Sequence, residues 1–170
     1  MNFTTMGSPL GPILLASDTD GLRLINFQTG SRTVAISPDG QENAEVFSDT
    51  VAQLGAYFMG DLTEFELTLS PQGSPFYREV WRELERIPYG RTLSYGGLAE
   101  RVGRPKAARA VGAANGRNPL PIVIPCHRVI GRDGSLTGYG GGLRFKKALL
   151  ELERKHSPAG LGEQLRLELS

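Results

Sequence analysis

The sequence predicts an α+β fold of two domains: a small N-terminal domain with a β-sheet and one helix, and a mainly helical C-terminal domain with a helix-turn-helix. Short apolar segments separated by turn residues fill the first 70 residues, whereas helical periodicity dominates after residue 74. Between them, residues 71–75 are rich in proline, glycine and serine, which disfavour regular structure. A chain of 170 residues suits two small domains, which we predict at 1–72 and 73–170.

The N-terminal domain is predicted from three local patterns. Residues 11–17 and 21–27 are apolar segments on either side of an Asp-Thr-Asp-Gly turn, a pattern typical of a β-hairpin. Apolar residues at helical spacing predict a helix over about residues 43–59. Alternation of polar and apolar residues predicts a further strand over residues 64–69.

The C-terminal domain begins with a helix-start signal, because Ser74 can cap a helix and Pro75 suits its first turn. The residues that follow form one apolar stripe, which predicts a helix packed on the core: Phe76, Val80, Trp81, Leu84 and Ile87. A last helix is predicted over residues 143–155.

Two short helices in the middle of this domain form a helix-turn-helix pattern. Ser94 can cap a helix over residues 95–102, and Gly103 ends it. Pro105 then begins an alanine-rich helix that runs to about residue 114. Since many helical hairpins bind nothing, the pattern alone does not establish DNA binding.

The charge of the chain is uneven, although its net value is only +1. Residues 91–132 contain a single acid and eight bases, a balance of +7, whereas the first 70 residues have a balance of −7. The eight bases are Arg91, Arg101, Arg104, Lys106, Arg109, Arg117, Arg128 and Arg132. Lys106 and Arg109 are three positions apart and are expected on one helix face. Such a segment favours an anionic partner, nucleic acid first, over an arginine-rich surface without a partner.

Cys126 is the only cysteine of the chain, and His127 follows it directly. A lone cysteine cannot form an internal disulfide or a cysteine-rich metal site. It is therefore either a buried structural thiol, a common fate of free cysteines, or a reactive nucleophile. The adjacent imidazole favours the reactive alternative, because a basic neighbour promotes the thiolate.

Several classes of protein are excluded by composition. No apolar run approaches the roughly 20 residues of a membrane-spanning helix. The N-terminus lacks the basic and apolar regions of a signal peptide. A single cysteine without a secretory signal fits a reducing compartment, so we expect a cytoplasmic protein without a membrane partner.

The order and spacing of several motifs point to one family. These motifs are Ser94-Tyr95, Pro105-Lys106-Ala107-Ala108-Arg109-Ala110-Val111-Gly112, Asn118-Pro119, Ile124-Pro125-Cys126-His127-Arg128-Val129, Tyr139, Gly141-Gly142 and Glu153. Together they closely resemble the O6-alkylguanine-DNA alkyltransferases over residues 74–153. The first 70 residues resemble that family only in length and in their pattern of strands and helix.

The resemblance implies direct-reversal DNA repair. Members of the family flip O6-alkylguanine out of duplex DNA and transfer its alkyl group irreversibly to their own cysteine, so each molecule acts once. The implied partner is double-stranded DNA containing O6-alkylguanine, with O4-alkylthymine as an open second substrate. The implied state is a monomer that needs no cofactor, and clustering of molecules on DNA stays open. Some members bind zinc in the N-terminal domain, but no cysteine or histidine precedes Cys126 here, so we expect no metal.

The resemblance also implies roles in the reaction. Cys126 would accept the alkyl group, and His127 would deprotonate it through a water. Glu153 would polarise His127, and Tyr95 would contact the flipped base and supply a proton near its N3. Asn118 would tie the recognition helix to the active-site loop as a hinge.

A second set of implied roles concerns DNA. Arg109 would enter the base stack as a finger. The further residues expected at the DNA are Lys106, Ala107, Ala110 and Arg128, and those expected around the substrate pocket are Pro121, Val129, Tyr139 and Gly140. One departure from the pattern is Arg104, which stands where a helix-capping residue is expected before Pro105.

Simpler alternatives stay open for individual residues. Asn118 could initiate a turn before Pro119, and Tyr139 could pack within one. Glu153 could be an ordinary exposed helix residue, and Arg109 could be a phosphate contact. Two other functions also stay open: a cysteine hydrolase, which would turn over, and a DNA-binding module without chemistry, which would not need Cys126.

Overall fold

A computed structural model of the protein describes residues 1–139 and 142–157, and it confirms the predicted fold class. The strands are β1 (Asn2–Met6), β2 (Ile13–Ser17), β3 (Leu22–Phe27), β4 (Gln41–Glu42), β5 (Leu93–Ser94) and β6 (Val129–Ile130). The α-helices are α1 (Ser48–Phe58), α2 (Pro75–Glu85), α3 (Tyr95–Arg101), α4 (Ala108–Gly116) and α5 (Leu143–His156). None of the helices in these described ranges has the length and apolar character needed to cross a membrane.

The N-terminal sheet has the strand order β3-β2-β1-β4. The predicted hairpin is confirmed as β2 paired antiparallel with β3, from Ile13 opposite Phe27. Asp18 closes its turn, because the carboxylate accepts the backbone N–H of Asp20 at 2.8 Å and of Gly21 at 3.0 Å. Strand β1, which pairs antiparallel with β2, and the short edge strand β4, which pairs parallel with β1, were not predicted.

Two N-terminal predictions need correction. The helix expected over residues 43–59 is a 3-10 turn, Ala44–Phe47, followed by α1. The strand expected over residues 64–69 is wrong, since the structure has only an isolated bridge between Leu22 and Leu69 there. The Gln53 side chain explains this, because it bonds both the N–H and the C=O of Glu66 and so replaces a neighbouring strand.

The C-terminal domain begins as predicted. The Ser74 hydroxyl accepts the N–H of Tyr77 at 3.1 Å, and α2 follows with Pro75 as its first residue. Helix α2 buries Val80, Trp81 and Leu84, and the Trp81 indole donates to the C=O of Ala114 at 2.9 Å. This bond fixes α2 against α4.

The helix-turn-helix is formed by α3 and α4. Ser94 caps α3 as predicted, accepting the N–H of Gly97 at 3.0 Å. The second helix begins three residues later than predicted, at Ala108, because Arg104 and Ala107 close a turn around Pro105. Lys106 therefore lies in this turn and does not share a helix face with Arg109.

The N-terminal and C-terminal parts of the chain share one apolar core. Phe27 of β3 stacks on Phe145 of α5 with ring centroids 4.4 Å apart. The backbone N–H of Ile25 donates to the C=O of Pro119 at 2.9 Å, directly before the cysteine-bearing loop. The sheet therefore buttresses this loop, while the domain boundary at residues 72 and 73 stays a prediction.

Candidate active site

Cys126 begins a short 3-10 turn, Cys126–Arg128, that leads into β6. Its side chain is buried, with the residue only 4% exposed. Burial raises the pKa of the Cys126 thiol to about 11, although the nearby Asn118, Lys146 and Tyr139 side chains oppose this rise. At neutral pH the group is therefore a protonated thiol, and it needs a base to become a nucleophile.

The turn that leads to Cys126 is held by Asn118. Its amide donates to the C=O of Ile124 at 2.7 Å and its carbonyl accepts the N–H of Leu120 at 2.9 Å. Within this turn Ile122 has a positive φ of 77°. A β-branched residue in that region costs roughly 1–3 kcal/mol, so the surrounding contacts must hold it there. Asn118 ties the end of α4 to the loop of Cys126, the position expected of a hinge.

His127 forms a buried pair with Glu153 of α5. The distance from His127 Nε2 to Glu153 Oε2 is 2.5 Å, and the two residues are 0% and 1% exposed. Because an ionised carboxylate only accepts hydrogen bonds, Nε2 carries the proton and Nδ1 is the basic nitrogen. Nδ1 has no hydrogen-bond partner among the residues that the structure describes. Burial lowers the pKa of His127 despite the carboxylate, so the ring is neutral at pH 7.

Glu153 is a buried residue at the centre of a hydrogen-bond network. Oε1 accepts from Arg128 Nε at 2.8 Å and from the N–H of Gly90 at 3.1 Å. Oε2 accepts from Tyr57 Oη at 2.6 Å and from Arg128 Nη2 at 3.0 Å, in addition to His127. Burial alone would raise the pKa of Glu153, but the hydrogen bond from His127 and the charge and hydrogen bonds of Arg128 hold it well below its ordinary range. We call Cys126, His127 and Glu153 the buried relay.

The prediction that Arg128 contacts DNA is wrong. The residue is 6% exposed, and all three nitrogens of its guanidinium donate hydrogen bonds inside the protein. Beyond its two bonds to Glu153, Nη1 donates to the C=O of Ile87 at 2.6 Å. The side chain also lies over the Tyr89 ring, 5.7 Å from its centroid. Arg128 therefore neutralises and orients Glu153, and it offers nothing to a phosphate.

Tyr95 is brought to the relay by the pairing of two short strands. Ser94 of β5 lies opposite Ile130 of β6, so the first turn of α3 is adjacent to the cysteine turn. The Tyr95 hydroxyl donates to the C=O of Thr137 at 2.9 Å. Lys146 Nζ donates to the same oxygen at 2.8 Å and lies 5.7 Å from the centroid of the Tyr95 ring. Burial raises the pKa of the Tyr95 phenol, which keeps its proton.

The expected pocket residues lie at different depths. Tyr139 is buried beside Cys126, and its hydroxyl has no hydrogen-bond partner within the described residues. Val129 is fully buried in β6, and Pro121 is half-buried in the turn before the cysteine. Gly140 lies outside the described residues.

Three residues of the site were not expected from the sequence. Lys146 is 0% exposed, and burial lowers its pKa to about 8. Asn115 is buried in α4, with its amide 3.4 Å from the C=O of Cys126. The signal that could have identified Lys146 and Asn115 is a polar residue on the apolar stripe of a helix. Lys146, for example, shares such a stripe with Leu149. The third, Tyr57, comes from the N-terminal domain and has no local signal.

The basic residues of the helix-turn-helix lie on the outside. Arg109 is exposed in the first turn of α4, and Lys106 is exposed in the turn before it. Ala110 is exposed and Ala107 half-buried, so the helix presents small side chains between its charges. Further exposed bases nearby are Arg101, Arg104 and Arg117. This face is cationic, as expected of a surface that approaches a phosphate backbone.

A metal ion would need several acidic, histidine or cysteine side chains close together. Within residues 1–139 and 142–157, no three of them cluster in a way that could hold one.

Two family models match the chain. The model described as "6-O-methylguanine DNA methyltransferase, ribonuclease-like domain" matches residues 1–71. The model described as "6-O-methylguanine DNA methyltransferase, DNA binding domain" matches residues 75–155, which include the whole buried relay. The resemblance of the C-terminal motifs is thereby confirmed, and the N-terminal residues match as well.

Individual relatives agree with these models. The methylated-DNA–protein-cysteine methyltransferase of Mycolicibacterium paratuberculosis is 54% identical over 162 residues, 95% of this chain and 97% of that protein. The protein of the same name from Methanosarcina acetivorans is 49% identical over 153 residues, 90% of this chain and 98% of that protein. The crystal structure of Mycobacterium tuberculosis OGT in complex with DNA is similar with a TM-score of 0.85 and 46% identity, covering 95% of this chain and 98% of that chain. With both of its domains matched, the chain belongs to the 6-O-methylguanine DNA methyltransferase family.

Proposed function

We propose that this protein repairs DNA by transferring the alkyl group of O6-alkylguanine irreversibly to Cys126. The observation that carries the proposal is the buried relay, in which the only cysteine of the chain adjoins an imidazole oriented by a carboxylate. The relay lies within the family's fold, behind a cationic helix-turn-helix. Repair by this route needs no cofactor, because the protein itself is the acceptor.

The first step is formation of the thiolate. His127 is held with Nδ1 as its free basic nitrogen, and a water between Nδ1 and the thiol would relay the proton from Sγ. The resulting imidazolium is stabilised by Glu153, which is already ionised. A base is needed because the pKa of the thiol, about 11, leaves little thiolate at neutral pH.

The second step is displacement at the alkyl carbon. The S–C bond forms as the C–O6 bond breaks, and the electron pair of that bond goes to the guanine. Tyr95 supplies a proton near N3 of the leaving base, and the proton taken up by His127 later restores the phenol through solvent. The net reaction moves the alkyl group from O6 to Sγ and one proton from the thiol to guanine.

Tyr95 must turn away from Thr137 to perform this role, because its only hydroxyl proton is donated to that carbonyl in the free protein. Lys146 donates to the same oxygen and keeps it paired when Tyr95 leaves. The ammonium also favours the thiolate by charge. Lys146 thus assists both proton transfers without contacting the alkyl group.

The DNA side of the reaction is assigned to the exposed face. A guanine inside a duplex hides O6, so the nucleotide must leave the stack at a cost of a few kcal/mol, roughly. Arg109 at the start of α4 fills the vacated space, and Lys106 contacts a phosphate. Ala107 and Ala110 allow the helix to approach the groove closely. Asn118 couples this helix to the cysteine loop, while Pro121, Val129, Tyr139 and Gly140 surround the extrahelical base.

The test is a count of alkyl groups transferred from duplex DNA containing O6-methylguanine. Excess DNA should deliver one methyl group per protein chain, found by mass spectrometry in the tryptic peptide of residues 118–128, which contains Cys126. Cys126→Ser is the matched control and should acquire none. Continued turnover would indicate a hydrolase, and a label on another residue would refute the assignment of Cys126.

Three further measurements test the substrate range, the oligomeric state of the active protein and its location. A duplex with O4-methylthymine tests the second substrate. Sedimentation of the free protein and of its DNA complex tests whether a monomer acts. Cell fractionation tests the expected cytoplasmic location, where a free thiol stays reduced.

A further inference from the structure

The N-terminal domain contributes a side chain to the network around the buried relay. Tyr57 of α1 is 0% exposed, and its hydroxyl donates to Glu153 Oε2 at 2.6 Å. The same oxygen is 2.5 Å from His127 Nε2. Tyr57 and Glu153 are 96 residues apart in the sequence, so this contact exists only in the folded two-domain protein.

The hydroxyl is not needed to fill space. The Tyr57 ring packs against the rings of Phe58, Phe65 and Tyr89, with centroids 5.6, 5.6 and 6.1 Å away. A phenylalanine would make the same aromatic contacts at this position. What the tyrosine adds is a single short bond to an ionised oxygen, and such charge-assisted bonds are about twice as strong as neutral ones.

We propose that Tyr57 is a positioning residue for alkyl transfer, whose hydroxyl holds Glu153 Oε2 in line with His127 and sets how strongly this carboxylate attracts the His127 proton. The inference rests on the proposed function, since it assigns His127 the role of base. It gives the N-terminal domain a part in the chemistry of a cysteine that lies in the other domain.

The physical reason is the sharing of one oxygen. A donor bonded to Oε2 withdraws charge from it and leaves less for the imidazole. Without the hydroxyl, the carboxylate attracts the His127 proton more strongly, and the ring is protonated at higher pH. The other titratable or charged groups that influence His127 or Glu153 are Arg128, Tyr89, Tyr139 and Lys146, and none of them changes in the variant.

Tyr89 provides a matched control. It lies beside Tyr57 in the same aromatic cluster, and Arg128 lies over its ring. Its buried hydroxyl, however, has no hydrogen-bond partner among the described residues. Tyr57→Phe and Tyr89→Phe therefore remove the same atom from neighbouring rings near one carboxylate, and only the first removes a bond to it.

The experiment measures the rate of Cys126 alkylation by free O6-benzylguanine as a function of pH. In Tyr57→Phe we expect the acidic limb of the rate profile to move up by at least about 0.5 pH unit. The rate should therefore fall roughly threefold at pH values on this limb and be unchanged at higher pH. Tyr89→Phe should follow the wild type. A loss of purely structural origin would instead lower the rate at every pH.

A second readout does not depend on alkyl transfer. The chain has two histidines, so ¹⁵N-histidine labelling gives one ring pair from His127 and one from the exposed His156. Tyr57→Phe should move the Nε2–H proton of His127 downfield, as its bond to Glu153 strengthens. The His156 signals should stay in place, which excludes a general change of the protein.

Replacement of Tyr57 by 3-fluorotyrosine covers the case in which Tyr57→Phe does not fold. The more acidic phenol is a stronger donor, so the acidic limb should move down and the His127 proton upfield. If the limb and the proton stay at their wild-type positions in either variant, Tyr57 is only a packing residue. If the wild-type protein leaves Cys126 unmodified, the proposed function fails instead, and the two failures are distinct.

Discussion

Arg109 and Arg128 come from the same basic segment, yet the fold uses them in opposite ways. Arg109 is exposed on the helix-turn-helix, whereas Arg128 is buried against Glu153. The guanidinium of Arg109 is available to a ligand, and that of Arg128 is committed to the interior. Charge counted along the sequence therefore overstates the DNA-binding surface, and only burial separates the two uses.

The exposed face of the helix-turn-helix and the surroundings of the buried relay also differ in how they respond to mutation. Exposed charges contribute little to folding, about 0–1 kcal/mol per pair, and salt screens them. A buried charge network is different, because removal of one partner leaves the other unpaired at a cost of roughly 3–5 kcal/mol. We expect substitutions on the helix-turn-helix to affect DNA handling alone, and substitutions around the buried relay to affect chemistry and stability together.

Cys126→Ser should have the largest effect, a complete loss of alkyl transfer. The hydroxyl of serine is a far weaker nucleophile than a thiolate. Affinity for undamaged DNA should stay within about twofold of the wild type, since the phosphate contacts lie on the outer face. Fluorescence anisotropy with labelled duplex checks the affinity, and a fall of tenfold or more would mean that the two regions are not separable.

Glu153→Gln should have the next largest effect. The neutral amide neither stabilises the imidazolium nor balances Arg128, so we expect transfer to free O6-benzylguanine to slow by roughly 10²-fold or more. The free energy of unfolding should fall by about 3–5 kcal/mol. Glu151→Gln on the exposed side of α5 is the control and should change neither quantity. Urea denaturation with single-turnover kinetics measures both.

Acidification should also lower the free energy of unfolding of the wild-type protein. The pKa values of His127 and Glu153 are both lowered in the folded state, so the unfolded chain binds protons first as pH falls. Their stabilising contributions are complete above the unfolded pKa values, about 6.5 and 4.3, and are lost below them. In Glu153→Gln the second decline should disappear. Urea midpoints measured from pH 7.5 to 2.5 check this, and a rise in stability on acidification would contradict it.

Lys146→Met should have a smaller effect on the reaction. Methionine keeps much of the buried volume but removes the bond to Thr137 and the positive charge near Cys126. We expect a rate loss of about tenfold, of the size of one lost charge-assisted bond. Lys147→Met, at an exposed position of the same helix, is the matched control. Equal rates for the two variants would remove Lys146 from the site.

Lys106→Ala should have the smallest effect, and it concerns DNA alone. Loss of one phosphate contact should weaken binding to any sequence and reduce the slope of log affinity against log salt by about 1. Lys155→Ala, exposed at the far end of α5, should leave the slope unchanged. Titrations between low and moderate salt measure it, and a wild-type slope near zero would reject an electrostatic interface.

Local signals predicted much of the fold. The helix caps at Ser74 and Ser94 lie where the sequence indicated, because a cap depends on the few residues beside it. The hairpin and the cysteine–histidine pair were identified for the same reason. The start of α4 was misjudged at Pro105, where a proline suited to a first helical turn is used in the preceding turn instead.

What the sequence could not predict depends on distant contacts. The bond from Tyr57 to Glu153 joins residues in different domains. Gln53 takes the place of a strand beside Glu66 only because α1 lies there. The strained backbone of Ile122 is imposed by the turn that Asn118 holds, and nothing in an isoleucine indicates it. Arg128 was expected at the DNA, within the basic segment, because nothing local shows that its partner Glu153 lies 25 residues away.

The division of labour between the two regions is tested most directly with Arg109→Ala on two substrates. Single-turnover kinetics would give the maximal rate at saturating O6-methylguanine duplex and the rate with free O6-benzylguanine, which needs no flipping. We predict a duplex rate lower by about 10- to 100-fold, since the arginine offsets part of the unstacking cost, and an unchanged rate on the free base. If the variant reaches the wild-type maximal rate at saturating duplex, Arg109 is only a phosphate contact. Equal losses on both substrates would show that Arg109 supports the buried relay, and would contradict the separation of the two regions.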